Sequence, residues 1–140
     1  MRIMATVRNG GGQHVATVST EGAAKPVAIP PSAGGTGSSV NGGELLFLAL
    51  ATCYTNDIYR EAAGRAIVVT SVSVEVDGQF GGPGEPAANV YYHVRVEANA
   101  SDEAIRDLIM HTDTVAEIQN TLRRATAVSL DRVETVSTCE

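Results

Sequence analysis

The sequence predicts an α+β fold, with a mostly antiparallel sheet, one long buried core helix and two shorter helices, and three observations carry that expectation. Residues 41–64, NGGELLFLALATCYTNDIYREAAG, form the only long segment that is apolar on nearly every side. Two valine-rich segments after it alternate apolar and polar residues with the period of a strand, and a Gly- and Pro-rich stretch joins them. Two capped helical patterns and one more extended segment follow. Short strands, a long helix, a hairpin, two helices and a strand, in that order, describe helices laid against one side of an antiparallel sheet.

Taken in chain order, Ile3, Ala5 and Val7 share one face of a first strand over residues 2–7, and His14 to Val18 is a second short extended run. Asn9-Gly10-Gly11-Gly12 between them is a turn. Residues 23–40 carry Pro26, Pro30, Pro31 and the pair Gly34-Gly35, which argues for a loop with room for one edge strand near Val27 to Ile29. Asn41 and Glu44 form the reciprocal cap that opens a helix. From Leu45 to Ala51 every residue is apolar, the mark of a core or interface helix. Asp57, Arg60 and Glu61 then restore polarity, and Gly64 suits the left-handed residue that ends a helix. The first half of this helix is therefore expected to be buried and the second wetter, with Cys53 at the change.

Val68, Thr70, Val72, Val74 and Val76 fall on one face of the next strand, and Val90, Tyr92, Val94 and Val96 repeat the pattern. DGQFGGPGEPAA, residues 77–88, connects them as a hairpin loop. Ser101 caps the next helix, Asp102 and Glu103 complement its dipole, and Ile105, Leu108 and Ile109 are its apolar stripe. A break is expected over Met110 to Asp113. Thr114 and Glu117 are spaced as a capping box for a last helix, with Val115, Ile118 and Leu122 on one side and Arg123 and Arg124 at its end. A final strand is expected from Ala127 to about Val136.

A length of 140 residues fits a single domain over residues 1–140. Ten basic and sixteen acidic side chains give a net charge of −6, which repels phosphate backbones and anionic lipid, so neither nucleic acid nor a membrane is an expected partner. The start, MRIMATVRNGGG, lacks the apolar core of a secretory signal, and the run from Leu45 to Ala51 falls far short of the ~20 residues of a spanning helix. A cytoplasmic location is expected. Two cysteines are too few for a disulfide framework, so each thiol is either a small buried hydrophobe or a reactive group. For Cys53 both readings stand. Glu44 is a capping group on its spacing. His14, His93 and His111 have no paired ligand spacing, so no metal is expected, and no glycine cluster sits in the strand-turn-helix context of a phosphate loop or calls for a cofactor.

The stretch ELLFLALATCY, followed by the valine-rich strand pair and then HTDTVAEIQNTLRRA, resembles the OsmC and Ohr family of osmotically inducible and organic-hydroperoxide-resistance proteins. The resemblance implies the same α+β fold, a homodimer interlocked around its core helices, and a cysteine-based peroxidase. It places Cys53 at the attacking thiol, which a second Cys then captures as a disulfide. It also implies an Arg from the N-terminal region and a Glu near the start of the core helix. Here the family's Glu position falls on Gly43, with Glu44 one residue and about 100° further round, so the resemblance makes Glu44 the candidate charged group of the site beside Cys53. The Arg position falls near Gln13, with Arg8 the nearest alternative. The resolving Cys position falls on Ala116-Glu117-Ile118-Gln119, so that a small external thiol would have to complete a cycle, unless Cys139 reaches Cys53. The function this implies is thiol-dependent reduction of organic hydroperoxides through Cys53. A non-catalytic relative that binds a small apolar ligand or a partner beside Cys53 is the alternative.

Overall fold

The computed structural model describes residues 1–139 of the chain. The elements run β1 (Ile3–Gly10), β2 (Gln13–Thr20), β3 (Ala23–Val27), α1 (Gly42–Ala63), β4 (Val68–Phe80), β5 (Ala87–Asn99), α2 (Asp102–Val115) and α3 (Glu117–Arg123). This is the expected α+β class. The chain parts into two compact units, one of Met1–Ala49 with Val76–Tyr92 and one of Leu50–Glu75 with residues 93 onward.

In the first unit β1, β2 and β3 form an antiparallel meander. Its first turn closes on Gly10 paired with Gln13, and Gly11 and Gly12 take φ of 59° and 76°, the left-handed pair that matches the twist of a tight hairpin. The third strand lies at Ala23–Val27 rather than Val27–Ile29, because pairing with β2 starts directly after the turn at Glu21 and Gly22. Pro26 is accommodated since β3 is an edge strand, where one missing donor goes unused. The opening of α1 is capped as its sequence predicts: the Glu44 N–H donates to Asn41 Oδ1 at 2.8 Å, and the Asn41 N–H donates to Glu44 Oε1 at 3.0 Å. One turn on, Phe47 stacks on Phe80 with ring centroids 5.8 Å apart. Two glycines make that approach possible. A Cβ on Gly43 would come within 2.8 Å of the Phe80 ring, and one on Gly78 within 2.7 Å of the Phe47 ring.

β4 and β5 are hydrogen-bonded neighbours, and a six-residue link can join only antiparallel strands. Both strands extend into the stretch expected as loop, leaving residues 81–86 as the connection.

The second unit holds the buried stripe of α1. Leu50, Tyr54, Ile58 and Ala62 recur every four residues and pack in the same core as Leu108, Thr112 and Ala116, of which the last three are fully buried. Tyr54 Oη donates to the Ile109 carbonyl at 2.7 Å, and Gln119 Nε2 donates to the Leu50 carbonyl at 3.1 Å, so α2 and α3 are both tied to α1. The expected order of burial along α1 is thus reversed. Leu45 and Leu48 stay 37% and 60% exposed, while every buried residue of the helix lies from Leu50 onward.

Three local expectations also change. α1 ends through a paired 6→1 and 5→2 arrangement, with the Ile67 N–H on the Ala62 carbonyl and the Ala66 N–H on the Ala63 carbonyl. The left-handed residue is Ala66, at φ 54°, and not Gly64. α2 runs unbroken through Met110 to Asp113, because Thr112 is buried and its hydroxyl finds the Leu108 carbonyl at 2.7 Å. The break falls at Ala116, whose ψ of 113° separates α2 from α3, and no side chain caps α3. Thr114 instead donates to the His111 carbonyl, which frees Glu117 from capping. Ser101 caps α2 as expected, accepting from the Ala104 N–H. Finally, residues 124–139 form no strand. Val128 and Leu130 stand 97% and 86% exposed, since an alternating pattern makes a strand only where a ladder partner is present.

Candidate active site

Cys53 lies three turns into α1, half-buried, one residue before the buried Tyr54. Its helix supplies one neighbour by spacing alone: Asp57, one turn later, has Oδ2 3.6 Å from Sγ. The other comes from α3, where Glu117 Oε2 is also 3.6 Å from Sγ and the Ile118 N–H donates to the sulfur. Arg60 closes the group. Its Nη1 donates to Asp57 Oδ1 at 2.9 Å and to Glu117 Oε1 at 3.0 Å, and its Nε to Glu61 Oε1 at 3.0 Å. Glu61 Oε2 in turn meets His111 Nε2 at 2.9 Å. Each of Asp57 and Glu117 therefore gives one oxygen to the guanidinium and the other to the sulfur.

Burial sets the charge balance. Asp57 is only 5% exposed, and loss of water, reinforced by the Glu117 carboxylate, raises its pKa against the opposing pull of Arg60. Glu117, largely exposed, is shifted downward by a hydrogen bond from its own backbone N–H and by Arg60. The Cys53 thiol is pushed up, first by burial and then by the charge and hydrogen bonding of Asp57 and by Glu117, while the Ile118 N–H works the other way. At neutral pH the sulfur holds its proton as a donor to carboxylate. Sγ and the two carboxylate oxygens lie within 4.8 Å of one another, and the positive charge such a set attracts is supplied by Arg60.

Of the two site residues expected from the sequence, Cys53 is at this cluster and Glu44 is in the cap, two and a half helical turns earlier in α1. Gly43 packs against Phe80, and Arg8 and Gln13 lie on β1 and β2 in the first unit. The segment matched to a resolving position does reach Cys53, through Glu117 and Ile118, although it brings a carboxylate where a thiol was sought. Sequence reasoning missed Asp57, Arg60 and Glu117. The first two were open to a search for polar groups one and two turns from the thiol, at positions four and seven beyond it. Glu117 was hidden by its reading as a cap.

The family model for OsmC-like protein matches residues 35–131, which includes α1, the β4–β5 hairpin, α2 and α3. The chain belongs to the OsmC-like family. No curated protein is similar enough in sequence to serve as a relative. Among solved structures, an OsmC-like protein from Mycoplasma pneumoniae shares 17% identity at a TM-score of 0.62, with 87% of this chain and 86% of that one covered. An OsmC-like hydroperoxide resistance protein from Jannaschia shares 16% identity at a TM-score of 0.51, covering 98% of this chain and 93% of that one. The organic hydroperoxide resistance protein OhrB of Bacillus subtilis shares 15% identity at 0.54, covering 88% and 91%. These likenesses establish the fold. No helix of this OsmC-like chain is long and apolar enough to cross a membrane among the described residues.

Proposed function

We propose that the protein reduces organic hydroperoxides through Cys53 and is restored by a small external thiol. The observation that carries this reading is the setting of Sγ. A thiol kept only for packing sits among apolar groups, whereas this one touches two carboxylates that share a guanidinium, and one of them, Asp57, is almost wholly buried, a placement without use to a core. Solved neighbours described as hydroperoxide resistance proteins lend support.

In the reaction, sulfur attacks one peroxide oxygen, an S–O bond forms as the O–O bond breaks, and the remaining alkoxide leaves as an alcohol with the proton the thiol gave up. Sulfur is oxidised to sulfenic acid and the peroxide is reduced. One external thiol then displaces water to give a mixed disulfide, and a second releases the Cys53 thiol. Cys139 is exposed near the chain end and is not needed, so Cys139→Ser leaves turnover unchanged. The working unit we infer is a homodimer, since Leu45, Leu48, Phe80, Val90 and Tyr91 of the first unit all leave large apolar side chains exposed. Light scattering at micromolar concentration reads that mass directly.

Cys53→Ser tests the chemistry. It abolishes peroxide consumption and shifts stability by only about 1 kcal/mol, since volume is nearly kept and the hydroxyl can bond a carbonyl one turn back. The raised thiol pKa favours a second reading, a non-catalytic module that binds a small ligand beside Cys53. Wild-type protein that consumes no organic hydroperoxide with any small dithiol, together with a clearly destabilised Cys53→Ser, would decide for that module.

A further inference from the structure

The hydroperoxide reading leaves one proton without a carrier. It must leave Cys53 before sulfur can attack, and a proton must reach the departing alkoxide when the O–O bond breaks. A cation beside the sulfur would solve only the first half. In this chain Arg60 gives its N–H groups to Asp57, Glu61 and Glu117, and the hydrogen-bond acceptors facing the thiol are carboxylate oxygens.

Resting on the reading of Cys53 as the peroxide-reducing thiol, we propose that Asp57 is a catalytic acid–base: its Oδ2 takes the Cys53 proton and hands it to the alkoxide, while Arg60 and Glu117 hold it in place. The geometry singles out Asp57 of the two carboxylates. Both lie 3.6 Å from Sγ, but Asp57 is 5% exposed while the Glu117 side chain is 62% exposed, so a proton placed on Asp57 stays beside the sulfur. The Arg60 contact to Oδ1 turns Oδ2 toward the thiol, and Asp57 is one turn along the same helix, a rigid mount. Burial raises the proton affinity of Asp57 above that of an ordinary carboxylate, which makes it the better acceptor for the thiol proton.

The step balances. Cys53 S–H and Asp57 carboxylate become thiolate and carboxylic acid. The thiolate then attacks the peroxide, the O–O electron pair leaves with the alkoxide, and the acid O–H supplies its proton. Sulfenic acid, alcohol and the original Asp57 carboxylate remain. The charged groups that bear on this exchange are Asp57, Arg60 and Glu61 from α1 and Glu117 from α3, with His111 of α2 reaching it through Glu61.

The reactive pair, thiolate with carboxylic acid, has the same proton count as thiol with carboxylate, and this makes two reactions of Cys53 diverge. Alkylation by iodoacetamide needs a thiolate but no acid, because iodide leaves unprotonated. Peroxide reduction needs both. In a Cys139→Ser background, as pH rises past the ordinary thiol range of about 8.5 and into the region where Cys53 itself ionises, alkylation should climb while tert-butyl hydroperoxide reduction falls. Rates that climb together overturn the proposal, and this measurement needs no variant at the site.

Asp57→Asn supplies the second arm. It removes a negative neighbour and so speeds alkylation at pH 7, yet it slows peroxide reduction by about 10²- to 10⁴-fold, the usual span of general acid–base catalysis. A merely structural role would move both rates the same way. Asp57→Asn protein that reduces hydroperoxide at the wild-type rate overturns the role of Asp57 and leaves the function standing. Wild-type protein that is alkylated normally but reduces no hydroperoxide overturns the function, and the proton role with it.

Discussion

Residues 42–49 of α1 and residues 50–63 differ in hydropathy and in burial, in opposite directions. The first stretch includes Leu45, Leu46, Phe47 and Leu48, yet Leu48 is 60% exposed. The second includes Asp57, Arg60 and Glu61, yet holds Leu50, Tyr54, Asp57, Ile58 and Ala62, all the buried residues of the helix. Hydropathy states how much cover a segment calls for. Packing decides whether that cover comes from the same chain. Around the second stretch α2 and α3 provide it, through Leu108, Thr112, Ala116 and Gln119, and a carboxylate is admitted because Arg60 neutralises it.

The sharpest way to break this contrast is to truncate one side chain from each stretch. Ile58→Ala empties a fully buried site and should cost 2 to 5 kcal/mol in urea unfolding, roughly the span for such deletions, at any protein concentration. Leu48→Ala should cost little in dilute protein. Whatever it does cost should grow with concentration, as the proposed second chain covers the site. Equal, concentration-independent losses at the two positions would mean that both stretches are covered by one chain.

A smaller effect separates the two acidic roles on the helix. Glu44→Ala removes one arm of the cap and should lower stability by about 1 kcal/mol while leaving peroxide reduction unchanged. Reduction lost at unchanged stability would instead put Glu44 in the chemistry. The smallest change is expected at the far end. Ala66 holds φ 54° with a Cβ present, so Ala66→Gly should raise the urea midpoint by the equivalent of about 0.5–1 kcal/mol, the strain relieved less the entropy glycine adds to the unfolded chain. A neutral or destabilising result would show that the helix end relaxes this strain elsewhere.

Local patterns were legible wherever the physics is local. The Asn41–Glu44 cap, the Ser101 cap, the turn at Gly11 and Gly12, and the alternation of β4 over Val72–Val76 and of β5 over Tyr92–Val96 depend on residues within a few positions of each other and were read correctly, while Val68 and Val90 of the same predicted faces stand exposed. Misreadings arose where a local pattern had two uses. Thr114 and Glu117 have the spacing of a capping box, but the first bonds within α2 and the second faces Cys53 and Arg60. The alternation of residues 127–136 specifies a strand's two faces without specifying a partner, and among the described residues none pairs with it.

By itself, then, the sequence determined the capped helix that carries Cys53, the strand pair after it and the placing of Asp57 and Arg60 on the following turns, because a helix of fixed pitch converts spacing into direction. Only the tertiary structure decided that Glu117 and the Ile118 N–H would meet the same sulfur, 64 residues away from Cys53 in the case of Glu117. That meeting depends on α2 and α3 docking against α1 through Tyr54 with Ile109 and Gln119 with Leu50. No periodicity encodes such a contact, since it is fixed by how buried side chains fit together and not by the order in which they follow one another.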